Sequence, residues 1–332
     1  MVLRKYMVQI VYFAPFESVP SGGVKVIYRH ASLINALGIP DVRASVYHFN
    51  APGKVPDWYE YPVPLKQDEL FLASRDFVIL PECHINDYWT RFESAGIKYG
   101  IFVQGPYLIG LQSFAANVDA AFGKASLVLS ISQETRSCLE WLFPELISRL
   151  ISVSYSIDAD LFSPGGVHNK VITYMPRRMK DHVTNVCFYI RNRLPRDWCL
   201  RAIDGVGEKD VARMLRDSSI FMSFSGLEGL GLPPIEAALS GNRVVGYDGQ
   251  GGREYWDPAL FRRVEVGDII GFASSVLDEI SSIEILQQRS GELFSDREIF
   301  RVARNLLAWR FSPEREASLL RSAVIKIKTC MY

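Results

Sequence analysis

Charge of one sign is what this chain most lacks. Lys and Arg total 37 and Asp and Glu total 37 across 332 residues, so no net field gathers a polyanion and nucleic-acid binding is not expected. Cysteine is scarce: Cys83, Cys138, Cys187, Cys199 and Cys330 form an odd, widely spread set without a Cys-x-x-Cys pair. That pattern excludes a disulfide framework or a zinc knuckle and reads as the reduced thiols of a cytoplasmic protein. The five histidines are scattered too, without the spacing of a transition-metal site. Apolar runs are short, none reaching the roughly 18 residues of a membrane-spanning helix. The opening residues are basic at Arg4 and Lys5 and then apolar, but Pro15 and Glu17 interrupt the run and no small-residue cleavage site follows. They read as a first strand rather than a signal peptide.

What is present is alternation. The length suits two domains that each bury a core, and apolar runs alternate with amphipathic stretches as in a doubly wound parallel sheet. Strands are expected at Met7–Ala14, Val42–Tyr47, Phe77–Pro81, Lys98–Gln104, Leu127–Ile131 and Ile151–Val153, with a helix from Val24 to Leu37. After a linker at 155–166, strands are expected at Val171–Met175, Cys199–Ala202, Ile220–Phe224 and Arg243–Tyr247, with a helix at Lys209–Arg216. Helical patterns follow at Ile269–Ile280, Ile283–Leu293, Asp296–Trp309 and Pro313–Lys326. Such sheets bind ligands at the carboxyl ends of strands, which directs attention to Gly22, Gly23, Glu82 and Gln104.

The richest segment is Phe221-Met-Ser-Phe-Ser-Gly-Leu-Glu228-Gly229-Leu230-Gly231-Leu-Pro233-Pro234-Ile-Glu236-Ala-Ala-Leu-Ser-Gly-Asn-Arg-Val-Val245. It reads as a buried strand, a glycine-bearing loop, a helix opened by paired prolines and a second strand. Glu228 is expected in the loop and Glu236 in the first helical turn, both near free N–H groups that suit phosphate. Carboxylates beside a phosphate site make sense when they accept hydrogen bonds from sugar hydroxyls, so a nucleotide sugar fits. The plainer reading of Glu236 alone is a charge complementing the helix dipole, worth about 0.3–1 kcal/mol, with Gly229 and Gly231 making a turn.

Glu228-Gly-Leu-Gly-Leu-Pro-Pro-Ile-Glu236-Ala followed by Gly241-Asn-Arg-Val-Val245 resembles the signature of glycosyltransferase family 4, retaining enzymes of the GT-B fold. The resemblance implies two Rossmann-like doubly wound domains facing each other across a cleft. It implies an acceptor-side domain at 1–154, the linker, a donor-binding domain at 167–310, and a final helix in 311–332 crossing back to the first domain. It gives Glu236 the ribose of the nucleotide and Glu228 the donor sugar, with the N–H groups of Gly229, Leu230 and Gly231 approaching the donor. Ser21-Gly22-Gly23-Val-Lys-Val-Ile-Tyr-Arg-His30 resembles the family's glycine loop facing the diphosphate, where a tight turn is the alternative. Gln104 falls where many relatives carry a histidine near the reacting sugar; glutamine hydrogen-bonds but is no base. Asp158-Ala-Asp160 sits where the family has a structural turn, and GT-B enzymes generally need no bound metal, so no metal and no cofactor beyond the sugar donor is expected.

Pro176-Arg177-Arg178-Met-Lys180 follows a strand, and arginine there can neutralise the charge on a departing nucleoside diphosphate. The family usually places an Arg and, five positions on, a Lys in this loop. Here Lys180 lies only three after Arg177, so the role rests on Arg177 and Arg178; a solvated basic turn is the alternative. Asp248-Gly-Gln-Gly251-Gly252-Arg253-Glu254-Tyr-Trp resembles the family's Gly-Gly-x-x-Glu loop beside the donor, giving Gly252 and Glu254 donor contacts and Gly251 and Gly252 room for the sugar; a glycine-rich turn with a chance charge pair is the alternative. Between Lys180 and Glu228 the chain is short for the full set of βα units of ordinary relatives, which alters the wall near the base.

The resulting expectation is a metal-independent retaining transferase moving a sugar from a nucleoside diphosphate sugar, UDP or GDP, to a glycan, lipid-linked or other hydroxyl acceptor. Surface polysaccharide or glycolipid synthesis in the cytoplasm, at the inner face of the membrane, fits such an enzyme. Two alternatives stay open: a nucleotide-sugar epimerase of the same fold, and a catalytically silent homologue that binds a partner. Arg297, Arg301 and Arg304 share a helical face suited to peripheral membrane contact or to plain solvation.

Overall fold

The computed structural model describes residues 7–112, 117–165, 169–290 and 297–332. Arg4 and Lys5, the linker's last residue Gly166, and the ends Leu293 and Asp296 of two expected helices lie outside the described residues. The chain divides into two compact units, Met1–Tyr155 with Pro313–Tyr332, and Ser156–Ser312.

In the first unit the strands are β1 (Val8–Ala14), β2 (Val42–His48), β3 (Asp76–Pro81), β4 (Tyr99–Val103), β5 (Leu127–Ser130) and β6 (Leu150–Ser152). They alternate with α1 (Gly22–Ala36), α2 (Ile85–Ser94), α3 (Pro106–Gln112), α4 (Val118–Lys124) and α5 (Gln133–Leu142). All strand pairs are parallel, in the order β2-β1-β3-β4-β5-β6. Helices on the faces of a parallel sheet bury each strand on both sides, which is why the strands read as near-continuous apolar runs. Phe13, Val78, Ile101 and Val128 share one core with Phe92 of α2, Phe122 of α4 and Leu139 of α5. The last helix, α11 (Pro313–Met331), packs on α1, and there Arg29 Nε lies 2.8 Å from the fully buried Glu316.

The second unit holds β7 (Val171–Tyr174), α6 (Lys180–Ile190), β8 (Cys199–Ala202), α7 (Glu208–Arg216), β9 (Ile220–Glu228), α8 (Leu232–Leu239), β10 (Arg243–Gln250), β11 (Phe261–Arg263), α9 (Ile269–Ser290) and α10 (Glu298–Arg310). Its parallel strands run β11-β10-β9-β7-β8. Ile172, Met222, Phe224 and Tyr247 form a core with Val186 and Ile190 of α6 and Phe272, Val276 and Ile280 of α9. Between Lys180 and Glu228 there is one βα unit, β8 and α7, between the flanking α6 and β9.

Several local expectations are corrected. The helix expected from Val24 begins at Gly22, after the extended residue Ser21, so both glycines belong to its first turn. Glu228 is the last residue of β9, because pairing with β10 continues across a bulge to Glu228 opposite Gln250. Glu236 is the fifth residue of α8, in the second turn, because the helix begins at Leu232, one residue ahead of the paired prolines that open it. The two helices expected at Ile269–Ile280 and Ile283–Leu293 are one through Ser290. Ser281 and Ser282 at the expected break instead donate their hydroxyls to the carbonyls of Leu277 and Asp278 one turn back, bonds that a helix accommodates and that draw the side chains away from competing with its backbone.

Candidate functional site

Both sheets share one strand order. Counted from β8, the second runs β8-β7-β9-β10-β11, as the first runs β2-β1-β3-β4-β5 before β6. Each therefore has a switch point, between β1 and β3 and between β7 and β9, and ligands of doubly wound sheets bind outside the carboxyl ends of strands at such points.

At the second switch point the turn after β7 meets the end of β9. Arg178 Nη1 lies 2.7 Å from Glu228 Oε1, the arginine exposed and the carboxylate largely buried. Burial pushes the Glu228 carboxyl above its ordinary range, and the Arg178 charge pulls it back down. Arg177 turns away, its Nε 3.4 Å from Asp204 beyond β8. Lys180 is exposed at the first position of α6, set there by the left-handed residue Met179, φ 47°, whose Sδ would lie 3.1 Å from a Cβ on Gly226. The structure thus brings Arg178 to Glu228 and sends Arg177 to the neighbouring loop.

Gly229, Leu230 and Gly231 connect β9 to α8, and Gly231, φ +78°, is the helix N-cap. A helix start leaves first-turn N–H groups unbonded, and Pro233 and Pro234 have none to offer. The amides at the very start of the helix are therefore those of Gly231 and Leu232. Tyr255 is buried, and its Oη lies 2.7 Å from the Gly231 carbonyl and 3.1 Å from that of Leu230, so its one proton anchors the carbonyl side of the loop. The second glycine loop packs against the first. A Cβ on Gly251 would come within 2.3 Å of the Gly229 carbonyl oxygen, and one on Gly252 within 3.1 Å of the Trp256 ring and 3.3 Å of Tyr255 Oη. The space beside these two glycines is filled by protein, so the close approach of two backbones is what requires Gly251. Glu254 lies 3.4 Å from Arg310 and Arg253 3.5 Å from Asp248. Glu236 is 8% exposed.

In the first unit, Gly22 and Gly23 stand after β1 and Glu82 directly after β3, on either side of the other switch point. Glu82 Oε1 accepts the N–H groups of Gly105, at 2.6 Å, and Gln104, at 3.1 Å. Gln104 Nε2 in turn donates to the Gly23 carbonyl at 3.1 Å. A chain of bonds thus joins β3, the β4–α3 loop and the start of α1. Burial pushes the Glu82 carboxyl up to about 7 against the opposing pull of those two N–H groups. No atom lies within 4 Å of where a Gly22 Cβ would sit, so the outer side of this helix start is open.

Sequence reasoning missed Asp204 and Tyr255, the partners of Arg177 and of the glycine loop. Tyr255 stood in the Gly-Gly-Arg-Glu-Tyr-Trp run, but nothing local showed that its hydroxyl reaches back 24 residues. A cavity of about 630 Å³ opens on the β11 edge, lined in part by Arg243, Arg253, Arg262, Arg263 and Asp248. Its arginines are already matched: Arg243 holds Glu279 at 2.9 and 3.1 Å, Arg262 meets Asp278 at 2.7 Å, and Arg263 meets Asp248 at 2.7 Å. Doubly wound sheets bind ligands at the switch point rather than along an edge strand, so the switch point is the better candidate. Among the described residues no group of three or more His, Cys, Asp or Glu is arranged to hold a metal ion, and no helix is long and apolar enough to cross a membrane.

No family model matches the chain. It is 22% identical over 328 residues to an alpha-1,6-glucosyltransferase of Actinobacillus pleuropneumoniae serotype 7 (strain AP76), covering 92% of this chain and 97% of that protein. Among solved structures, a sucrose-phosphate synthase from Thermosynechococcus elongatus matches with a TM-score of 0.68 at 11% identity, over 97% of this chain and 100% of that one. Anabaena HepE in complex with UDP-glucose matches with a TM-score of 0.63 at 15% identity, over 95% of this chain and 99% of that one. These likenesses show the fold, two parallel-sheet α/β domains as in the GT-B glycosyltransferases.

Proposed function

We propose that the chain is a retaining glycosyltransferase of family 4 that moves a sugar from a nucleoside diphosphate sugar to an acceptor hydroxyl without a metal. The observation that carries this reading is the pair Arg178 and Glu228, 2.7 Å apart at the switch point of the second sheet, beside a glycine loop at a helix start. When the donor enters, Arg178 exchanges the carboxylate for phosphate, and Glu228 is released to accept hydrogen bonds from the sugar hydroxyls. As the bond to the diphosphate breaks, negative charge grows on the leaving group, and Arg178, with Arg177 and Lys180 nearby, meets it together with the loop amides. Glu236, mostly shielded in α8, takes the ribose hydroxyls. The leaving phosphate removes the acceptor proton on the same face, which asks for no protein base.

UDP is the favoured nucleotide, a reading supported by the UDP-glucose bound in the similar HepE structure, and glucose the favoured sugar, supported by the alpha-1,6-glucosyltransferase relative. The acceptor hydroxyl belongs to a glycan or lipid-linked glycan of surface polysaccharide or glycolipid synthesis, met at the cytoplasmic face of a membrane. Glu82 and Gln104 are the acceptor-side residues of this reading, and Gly22 and Gly23 meet the donor's diphosphate.

A melting-temperature panel with uridine, guanosine, adenosine and thymidine diphosphates tests the donor. The matching nucleotide at a hundred times its Kd adds about 2.7 kcal/mol of stability, a shift that Arg178→Ala reduces. No shift with any of the four ends this reading. Incubation with UDP-glucose alone, followed by sugar analysis, separates transfer and hydrolysis from epimerisation, and the anomeric configuration of the product reports retention.

A further inference from the structure

The cavity of about 630 Å³ on the β11 edge has no part in the proposed sugar transfer, yet its lining has a definite chemistry. Arg243, Arg253, Arg262 and Arg263 stand there against two acids, Asp248 and Glu279, so its walls are positive in a chain whose total charge is balanced. Arg243 is spent, with Glu279 at 2.9 and 3.1 Å and the Pro258 carbonyl at 3.1 Å. The other three are not. Arg262 meets Asp278 and Arg263 meets Glu265, acids that are themselves exposed, and exposed pairs hold weakly against a more highly charged partner.

Two of the guanidinium groups converge. Arg263 Nε lies 2.7 Å and Arg253 Nε 3.5 Å from one atom, the buried Asp248 Oδ2, but that oxygen accepts no aligned hydrogen bond among the described residues. Asp248 thus holds the two side by side and leaves most of their N–H groups, five on each guanidinium, for a ligand. A third donor joins them: Trp256 lines the cavity, and its buried Nε1 has no acceptor among the described residues. The Trp256 ring lies on Phe261, centroids 4.7 Å apart, and supplies a flat apolar wall.

A wall rich in donors calls for an oxyanion, and paired arginines suit phosphate, whose oxygens accept from both. Size then decides between a bare ion and a larger ligand. About 630 Å³ falls in the range of sites that enclose whole small molecules, so the phosphate carries a body. We propose that this cavity binds an organic phosphate, its phosphoryl group on Arg253 and Arg263 and its carbon body along Trp256. The site is separate from the switch point, with β10 between β11 and β9, and it holds whether or not the chain transfers a sugar. Arg253 belongs to the second glycine loop, and a Cβ on Gly252 would meet the Trp256 ring at 3.1 Å, so an occupant touches the loop that packs on Gly229.

Calorimetric titration of the full chain with glucose 6-phosphate, AMP, inorganic phosphate and glucose tests this, the first two distinguishing a sugar body from a nucleoside. At least one of these two organic phosphates should bind about tenfold more tightly than inorganic phosphate or glucose. Arg253→Gln and Arg263→Gln should each weaken it about tenfold, the scale of a lost charge-assisted hydrogen bond. Trp256→Phe, which keeps a ring and removes the N–H, should weaken it severalfold. Both arginines are about half-exposed, and circular dichroism checks that the variants fold. Arg178→Ala should bind the organic phosphate as the parent does. Failure of both organic phosphates to bind, equally tight binding of inorganic phosphate, or undiminished binding by Arg253→Gln overturns the proposal. So does loss of binding in Arg178→Ala, which would put the ligand at the switch point.

Discussion

Arg178 and Glu228 are separated by 50 positions in the chain and by 2.7 Å in space, because β9 pairs with β7 and leaves β8 on the outer edge. The pairing holds a largely buried carboxylate against an exposed guanidinium. An exposed partner contributes little to folding, at most about 1 kcal/mol. Arg178→Ala should therefore leave the melting temperature nearly unchanged while lowering kcat/KM by about 10²–10³-fold, the scale of a lost charge-stabilising group. Loss of the arginine also removes what opposes burial at Glu228, so the acidic limb of the pH–rate profile should move to higher pH. An unshifted limb would show that Glu228 does not titrate in the rate.

Glu316 makes the opposite case, a buried acid that holds structure. It meets Arg29 at 2.8 Å and lies 3.7 Å from the buried ring of His30, whose Nε2 is also 2.8 Å from the Ser154 carbonyl. Burial lowers the His30 pKa, with the Glu316 charge pulling it the other way. Glu316→Ala leaves Arg29 unpaired, but that side chain is one-third exposed and recovers water, so the cost should be about 1–3 kcal/mol rather than that of a sealed pair. Urea titration measures it. A loss below about 0.5 kcal/mol would mean that α11 stays on α1 by apolar packing alone.

What was legible in the sequence follows from how local each determinant is. Phe77–Pro81 and Leu127–Ile131 announce themselves because strands covered on both faces are apolar at nearly every position, and the ten expected strands are all found, in parallel sheets, among the described residues; the short edge strand β11, Phe261–Arg263, was not expected. The continuity of α9 was not legible, since two adjacent serines resemble a break until their hydroxyls are seen bonding to the preceding turn. The paired prolines did mark the start of α8, one residue inside it, whereas the left-handed Gly231 that caps it left no mark in the spacing. Which arginine faces Glu228 depends on strand order and on a left-handed Met179, neither of which leaves a mark in spacing. Gly251 was read as making room, whereas its neighbour in space is the backbone of Gly229, a contact 22 residues away.

That contact gives a sharp expectation. A methyl group on residue 251 would sit 2.3 Å from the Gly229 carbonyl oxygen and 2.7 Å from that of Glu228, both backbone atoms that no rotamer change can move. Gly251→Ala must therefore push the two glycine loops apart, at a cost of about 1–3 kcal/mol. It should also weaken nucleoside diphosphate binding while leaving the first unit intact. Gly22→Ala is the contrast, because its Cβ meets open space; it should change stability by no more than about 1 kcal/mol. Equal effects of the two substitutions on stability would refute the argument from close approach.

Glu82 offers a test through pH. Its carboxyl is raised from 4.5 to about 7 by burial, so the folded state binds the proton more tightly than the unfolded chain does. The stability linked to that proton is fully present below about pH 4.5 and is lost as pH rises through about 7. Over that window the loss amounts to about 3 kcal/mol. Glu82→Gln keeps an oxygen to accept the N–H groups of Gly105 and Gln104 and removes the titration. Between pH 4.5 and 7 the variant should gain stability relative to the parent, from parity at the acid end to about 3 kcal/mol at the neutral end. Denaturant titrations across the window read the difference directly. A parent and variant that run parallel would mean that Glu82 stays ionised and that its two N–H partners outweigh burial. The N–H groups of Gln104 and Gly105 would then donate to a charged carboxylate rather than to a neutral carboxyl.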